Sequence, residues 1–359
     1  MESKGSTNVA TAIHSSIFKM IPQQKPSPDT ISCSSESQGT ISTACDSTGT
    51  VPLPKYFVLP IPPSIYSKAG FLRISQFKDV QPFAEGTSAL LYKAKSPSNK
   101  SVIIKMIKKS VQYSALAMKE FEFENSVLAC ASHPNIVRYV GSGTEPRRFI
   151  VVEYINQGTL GMVANTNMSF FEALSKGREL ASALQYLHSN CVAGGMVIHR
   201  DLKPENIGIS NGSVQLFDFG LSICVQQRTT SEEVYEMTGC TGTLRYMAPE
   251  VALKQPYNEK VDVYSFALVL WQMVTSKVPF RKASKEEYYE HVVRGGIRPP
   301  VHPAWPADFI KLLQASWDPS PRFRPSFDEV LRVLDYILLN LKPISAVPAG
   351  LQQGILTAI

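Results

Sequence analysis

The sequence predicts an α+β fold in which strands come first and helices dominate later. Three stretches carry that prediction. FAEGTSALLYKAKSPSNKSVIIK, residues 83–105, reads as a strand, a tight turn, a second strand and an apolar third strand. In ALAMKEFEFENSVLACA, residues 115–131, Phe121, Glu124, Leu128 and Ala131 recur at spacings of three and four, the stripe of a helix. VDVYSFALVLWQMV, residues 261–274, is shorter than a membrane span and carries Asp262, so it reads as a buried helix.

Taken in order, residues 1–50 are dominated by Ser, Thr, Gly and Gln and hold few large apolar residues. Such a segment cannot bury enough surface to offset the entropy of ordering, and disorder is expected. Residues 51–72 are rich in proline, which excludes a helix and favours an extended linker. A domain is expected over 73–342, ending with the helix FDEVLRVLDYILLNL, and 343–359 form a tail. The N-terminus has no charged start followed by an apolar block, and ATAIHSSIFKM lacks the arginine that transit peptides prefer.

The formal net charge is +6, with lysines spread along the chain, and KMIKKS at 105–110 is the nearest approach to a basic run. No basic run interleaves with aromatics, so a nucleic-acid partner is not expected. The six cysteines (Cys33, Cys45, Cys130, Cys191, Cys224, Cys240) form no CxxC pair. They read as reduced thiols of a soluble, cytoplasmic protein.

In SVIIKMI both faces are apolar, so Lys105 is expected to be enclosed and to need a partner. Glu124, on the apolar stripe of the next helix, offers one. Two unrelated surface charges are the alternative. The stretch MVIHRDLKPENIGISNGSVQLFDFG, 196–220, adds more. Asn211-Gly212 between alternating stretches predicts a two-residue hairpin. Pairing Ser210 with Ser213 places Ile207 opposite Leu216 and Asn206 opposite Phe217, which brings Asn206 and Asp218 to the open end. Two oxygen ligands there suit a hard cation such as Mg²⁺. Asp201 lies on the loop feeding the same end.

HRDLKPEN, DFG and the later MAPE resemble the eukaryotic protein kinases over roughly residues 75–340, with the motifs in that family's order. The resemblance implies a bilobal fold: a small antiparallel β-rich N-lobe with one regulatory helix, about 73–155, and a larger, mainly helical C-lobe, about 156–342. It implies ATP and Mg²⁺ as cofactors and protein substrates. Lys105, paired with Glu124, should contact the α/β-phosphates; Asp201 should orient and deprotonate the substrate hydroxyl; Lys203 should steady the γ-phosphate; Asn206 and Asp218 should hold Mg²⁺. Glu153 to Ile155 look like the hinge whose backbone takes adenine, with Val152 in the gatekeeper place. Ala84, Glu85 and Gly86 correspond to the phosphate-covering loop, and Leu91, Ile103 and Gly208 to the walls of the adenine slot. Glu250 and Arg324 correspond to a buried ion pair, and Asp262 to the anchor of the catalytic loop.

SWDPSPRFRPSF with GTLRYMAPE is similar to the tyrosine-kinase-like branch, whereas Lys203 and Thr243 match the serine/threonine pattern. Ser/Thr specificity is expected, with dual specificity or a non-catalytic binding module as alternatives. Two of the usual three loop glycines are replaced, by Ala84 and Ala89. Ile103 should narrow the adenine slot and Gly208 should open it. VAGG at 192–195 should be a surface insertion. Thr159 and Gln272 stand where acids that select upstream arginine would be. Arg200 should read a phosphate that an upstream kinase places on Thr229, Thr230, Ser231, Thr238 or Thr241, unless Glu232, Glu233 or Glu236 already serves.

Overall fold

The computed structural model describes residues 71–163, 168–227 and 233–341. The expected N-terminal segment, most of the proline-rich linker, the tail, and Thr229, Thr230, Ser231 and Glu232 lie outside them. The described chain forms two units, one of residues 71–119 and 139–154, the other of 120–138 and 155–341.

The first unit is an antiparallel five-stranded sheet in the order β1 (Lys78–Glu85), β2 (Ala89–Lys95), β3 (Ser101–Ile107), β5 (Phe149–Glu153), β4 (Tyr139–Gly143). Strand residues alternate between faces. Tyr92, Ala94, Val102, Ile104, Met106, Phe149 and Val151 pack on one face with Phe77, and Leu72 and Ile74 cover them. The chain ahead of β1 is tied down where the Leu72 amide donates to the Ser142 carbonyl at 2.8 Å. Lys105 is half-buried, so the expectation that both sides of β3 enclose it is corrected. Its neighbours Ile104 and Met106 are buried, but the face that Lys105 shares with Leu91 and Ile150 is not sealed over it.

Helix α1 (Ala115–Cys130) buries Phe121, Glu124, Val127 and Leu128, so Glu124 does lie on the covered stripe. The rest of the second unit is mainly helical: α2 (Leu160–Val163), α3 (Phe170–Ser189), α4 (Pro249–Ala252), α5 (Lys260–Thr275), α6 (Lys285–Glu287), α7 (Ala307–Ser316) and α8 (Phe327–Asn340). Helix α6 continues as a π-helical turn, Tyr288–Arg294. Burial on all sides explains the apolar sequence of α5, in which every residue from Lys260 to Met273 is buried. Helix α8 buries only Phe327, Val330, Leu334 and Ile337, and a reciprocal Ser326–Glu329 cap starts it. No helix among the described residues is long and apolar enough to cross a membrane.

Strands β7 (Ile207–Ser210) and β8 (Ser213–Leu216) pair in the expected register, Ile207 with Leu216 and Ser210 with Ser213. Asn211 (φ 51°) and Gly212 (φ 80°) make the turn, as a two-residue hairpin with right-handed twist requires. Strands β6 (Gly195–Ile198) and β9 (Ile223–Gln226) pair antiparallel. The reading of 192–195 as a surface insertion is half corrected. Ala193 and Gly194 are an exposed turn, but Gly195 is buried and begins β6. Beneath α4, the Arg324 guanidinium, 1% exposed, donates twice to Glu250, at 2.6 and 2.9 Å.

Candidate active site

The loop between β6 and β7 hangs on one carboxylate. Asp262, fully buried in the first turn of α5, accepts the backbone N–H groups of His199 (2.8 Å) and Arg200 (2.9 Å), and lies 2.9 Å from the His188 ring. Burial alone would push its carboxyl up. The His188 hydrogen bond and charge, His199 and the Arg200 amide outweigh that and hold it below the ordinary carboxylate range. Arg200 itself is left-handed (φ 66°), a strained conformation for a long side chain that those two amide bonds secure.

Asp201 is thereby presented with both carboxylate oxygens engaged. Oδ1 accepts the Thr243 amide and hydroxyl, each at 2.8 Å. Oδ2 accepts Lys203 Nζ at 2.7 Å and Asn206 Nδ2 at 3.1 Å. Lys203 also donates to the Thr243 hydroxyl at 2.9 Å, so a hydroxyl sits between a carboxylate and an ammonium. Asn206 donates a further 2.9 Å bond to the Asp201 carbonyl, which turns its amide oxygen away from Asp201.

Across the hairpin's open end the Phe217 amide donates to the Asn206 carbonyl at 3.1 Å, which places Asp218 next to that rung. Asp218 is left-handed (φ 67°) and Phe219 is buried against the His199 ring, 5.3 Å between centroids. A Cβ built on Gly220 would lie 3.7 Å from both the Asp218 and the Glu124 carboxylates. The two acidic side chains thus flank Gly220, with ordinary van der Waals room left for a methyl group there. No group of three or more His, Cys, Asp or Glu that could hold a metal occurs among the described residues. A cation here would take the Asn206 amide oxygen and Asp218, few and hard donors that fit Mg²⁺ keeping water and phosphate oxygens as its other ligands.

In the first unit, residues directly opposite one another share a face. Leu91, Lys105 and Ile150 form one cross-strand row, and Lys93, Ile103 and Val152 another. Leu91, Ile103, Lys105 and Val152 thus lie together on the face opposite the apolar cluster. Ala84 pairs with Leu91 at its edge. At the β1–β2 turn the Gly86 amide donates to the Ala89 carbonyl at 2.9 Å, and Lys108 bridges Glu85 at 2.6 Å.

The protein kinase domain model matches residues 77–334 of this sequence. The chain belongs to the protein kinase domain family. Among curated proteins it is 33% identical over 261 residues to a dual specificity protein kinase, shkE, of Dictyostelium discoideum, covering 71% of this chain and 36% of that protein. It is 34% identical over 249 residues to the serine/threonine-protein kinase VIK of Arabidopsis thaliana, covering 66% and 54%. It is 31% identical over 271 residues to the serine/threonine/tyrosine-protein kinase HT1 of the same plant, covering 73% and 66%. The chain therefore spans between about a third and two thirds of the length of these relatives.

Within this kinase domain one expectation about the slot residues changes, that for Gly208. Neither Ala84 nor Ala89 is at positive φ, so a methyl group is unstrained there. Gly86 also has ordinary φ, and a Cβ on it would meet only the Ala89 carbonyl at 3.6 Å. Gly208 does not open a space: a Cβ there would lie 2.6 Å from Ile155 Cδ1, because the Ile155 side chain already fills the position. Ile103 is 8% exposed. Glu153 lies within 3.9 Å of Lys100.

Thr243 was legible as part of GTLRYMAPE, but its double contact with Asp201 and Lys203 was not, since the partners are some 40 residues away. Arg200 is already engaged, donating to the Leu221 carbonyl (2.7 Å), the Thr238 hydroxyl (3.1 Å) and the Tyr257 hydroxyl (3.1 Å). Gln272 is buried and accepts the Tyr246 hydroxyl at 2.6 Å.

Proposed function

We propose that this kinase domain transfers the γ-phosphoryl group of ATP to serine or threonine hydroxyls of proteins. The observation that carries the reading is Asp201, held by Thr243, Lys203 and Asn206 with an ammonium and a hydroxyl at its carboxylate. Asp201 orients the substrate hydroxyl and takes its proton as the new O–P bond forms and the bond to ADP breaks. Lys203 neutralises charge on the transferring group. Lys105 meets the α/β-phosphates, and Glu124 is the counter-charge that the motifs assign to it. Asn206 and Asp218 would hold Mg²⁺, which when bound would neutralise phosphate charge. The motifs assign Ala84, Glu85 and Gly86 to the phosphates, and Leu91, Ile103, Val152, Glu153, Ile155 and Gly208 to adenine.

Tyrosine transfer is the second reading, favoured by the relatives whose names include dual specificity and tyrosine. An upstream kinase acting on Thr238 would be read by Arg200, already bonded to that hydroxyl. The thiol chemistry supports a cytoplasmic location: among the described residues Cys130, Cys191, Cys224 and Cys240 are unbridged.

The test is transfer of labelled γ-phosphate to generic protein substrates by wild type and Asp218→Asn, followed by phosphoamino-acid analysis. Transfer to Ser/Thr that the variant loses is the expected outcome. Equal labelling by both proteins would refute the assignment, and phosphotyrosine would favour the second reading.

A further inference from the structure

Strand β1 contains an irregularity at the base of the turn. Pro82 pairs with Tyr92 and Ala84 with Leu91, so two steps along β1 answer one step along β2 and Phe83 is the extra residue. Such bulges redirect a side chain. Phe83 remains 51% exposed, so it is not part of the core, yet its ring meets Tyr154 edge-on with centroids 5.9 Å apart and planes at 87°. Over the Tyr154 ring sits Lys93 Nζ, 3.8 Å from its centroid. Lys93 comes from β2, on the same sheet face as Leu91, Ile103 and Lys105. The backbone of Tyr154 is fixed in turn, its N–H donating to the Ser101 carbonyl at 3.1 Å.

One aromatic ring just past β5 therefore receives a contact from each arm of the β1–β2 hairpin. From this geometry we infer that Phe83 and Lys93 are positioning residues, which clamp both arms of the turn at residues 86–88 to Tyr154 and so hold that turn for nucleotide binding. The inference rests on the proposed kinase activity. Its physical content is that edge-to-face ring contacts and a cation over an aromatic face are directional and weak. They orient a hairpin without burying it. The tip itself is tied by the Gly86–Ala89 backbone bond, and glycine flexibility is absent at 84 and 89. Orientation must then come from the base. Loss of the clamp lets the turn swing, which weakens nucleotide binding and leaves Asp201 and its partners, in the other unit, unchanged.

The experiment uses the full chain and compares wild type with Phe83→Ala, Lys93→Met and Lys93→Arg. KM for ATP and kcat are measured on a generic protein substrate, and hydrogen exchange of residues 86–88 is followed without nucleotide. Phe83→Ala and Lys93→Met are expected to raise KM about three- to ten-fold, with kcat within about two-fold, and to speed exchange at the turn. Lys93→Arg, which keeps a cation over the ring, should restore both. Unaltered KM and exchange in Phe83→Ala and Lys93→Met would overturn the clamp, as would Lys93→Arg behaving like Lys93→Met. Should the wild type transfer no phosphate, the kinase reading fails by itself, and the exchange comparison alone still decides the clamp.

Discussion

In the second unit the Asp201 carboxylate receives four hydrogen bonds from three residues, and its loop hangs on a fully buried carboxylate. In the first unit the β1–β2 turn has one backbone bond at its tip and an edge-on ring contact with a cation over one ring at its base. On the proposed kinase reading, the difference follows from what each region handles. Proton and phosphoryl transfer depend on charges placed to within a fraction of an ångström, and such placement requires a dense, buried network. Covering phosphates requires only backbone near the nucleotide. The second unit therefore keeps every charged group of its motifs, while the first carries alanine at two glycine positions.

The comparison can be broken most directly at Asp201. Asp201→Asn should lower kcat on the order of 10²–10⁴-fold while KM for ATP moves little, as steady-state kinetics would show. A retained kcat would mean that the network is structural.

Next in size is the anchor. Asp262→Asn keeps the shape but weakens the acceptor of two amides and a histidine, and thermal unfolding should show a loss of about 2–4 kcal/mol. The same variant tests pH dependence. A carboxyl held below its ordinary value gives stability that is complete above about pH 4 and lost as pH falls through its folded-state value. Wild type should therefore lose stability on the acid side, with no slope from this group between about pH 5 and 7. The acid limb should flatten in Asp262→Asn, and equal limbs in the two proteins would remove Asp262 as its source.

A smaller effect is expected at Gly208. Gly208→Leu must displace Ile155, and overpacking of this kind costs about 1–3 kcal/mol. Calorimetry should register the loss together with a raised KM for ATP. A variant as stable as wild type would show that Ile155 moves aside freely.

The smallest effect belongs to the loop. With unstrained φ at both positions, Ala84→Gly with Ala89→Gly should change KM for ATP by no more than a few-fold, on the order of 1 kcal/mol, and kcat less. A large gain in kcat would make the missing glycines a catalytic lesion and erase the contrast between the regions. Substrate choice sharpens it from the other side. Gln272 is neutral and already bonded to Tyr246, so a peptide-library screen should show no dominant arginine two or three residues before the acceptor.

By itself the sequence determined the order of elements, the β7–β8 register and the placement of Glu124 on a covered helix stripe. Each is a local matter: periods of 2 and 3.6 and an Asn-Gly turn specify who faces whom within a few residues. It also placed Asn206 opposite Phe217, because a hairpin register propagates once its turn is known. What only the tertiary structure decided involves partners distant along the chain. Thr243 reaches Asp201 across 42 residues. Ile155 fills the space over Gly208, which no pattern near Gly208 could indicate. Lys105 proved half-buried, since apolar neighbours in a strand say nothing of what covers each face. Phe83 was turned toward Tyr154 by a bulge, and a bulge depends on how two strands pair rather than on the composition of either. Periodicity reports the direction of a side chain from its own backbone; what stands at the end of that direction is set by the packing of elements that the chain brings together from elsewhere.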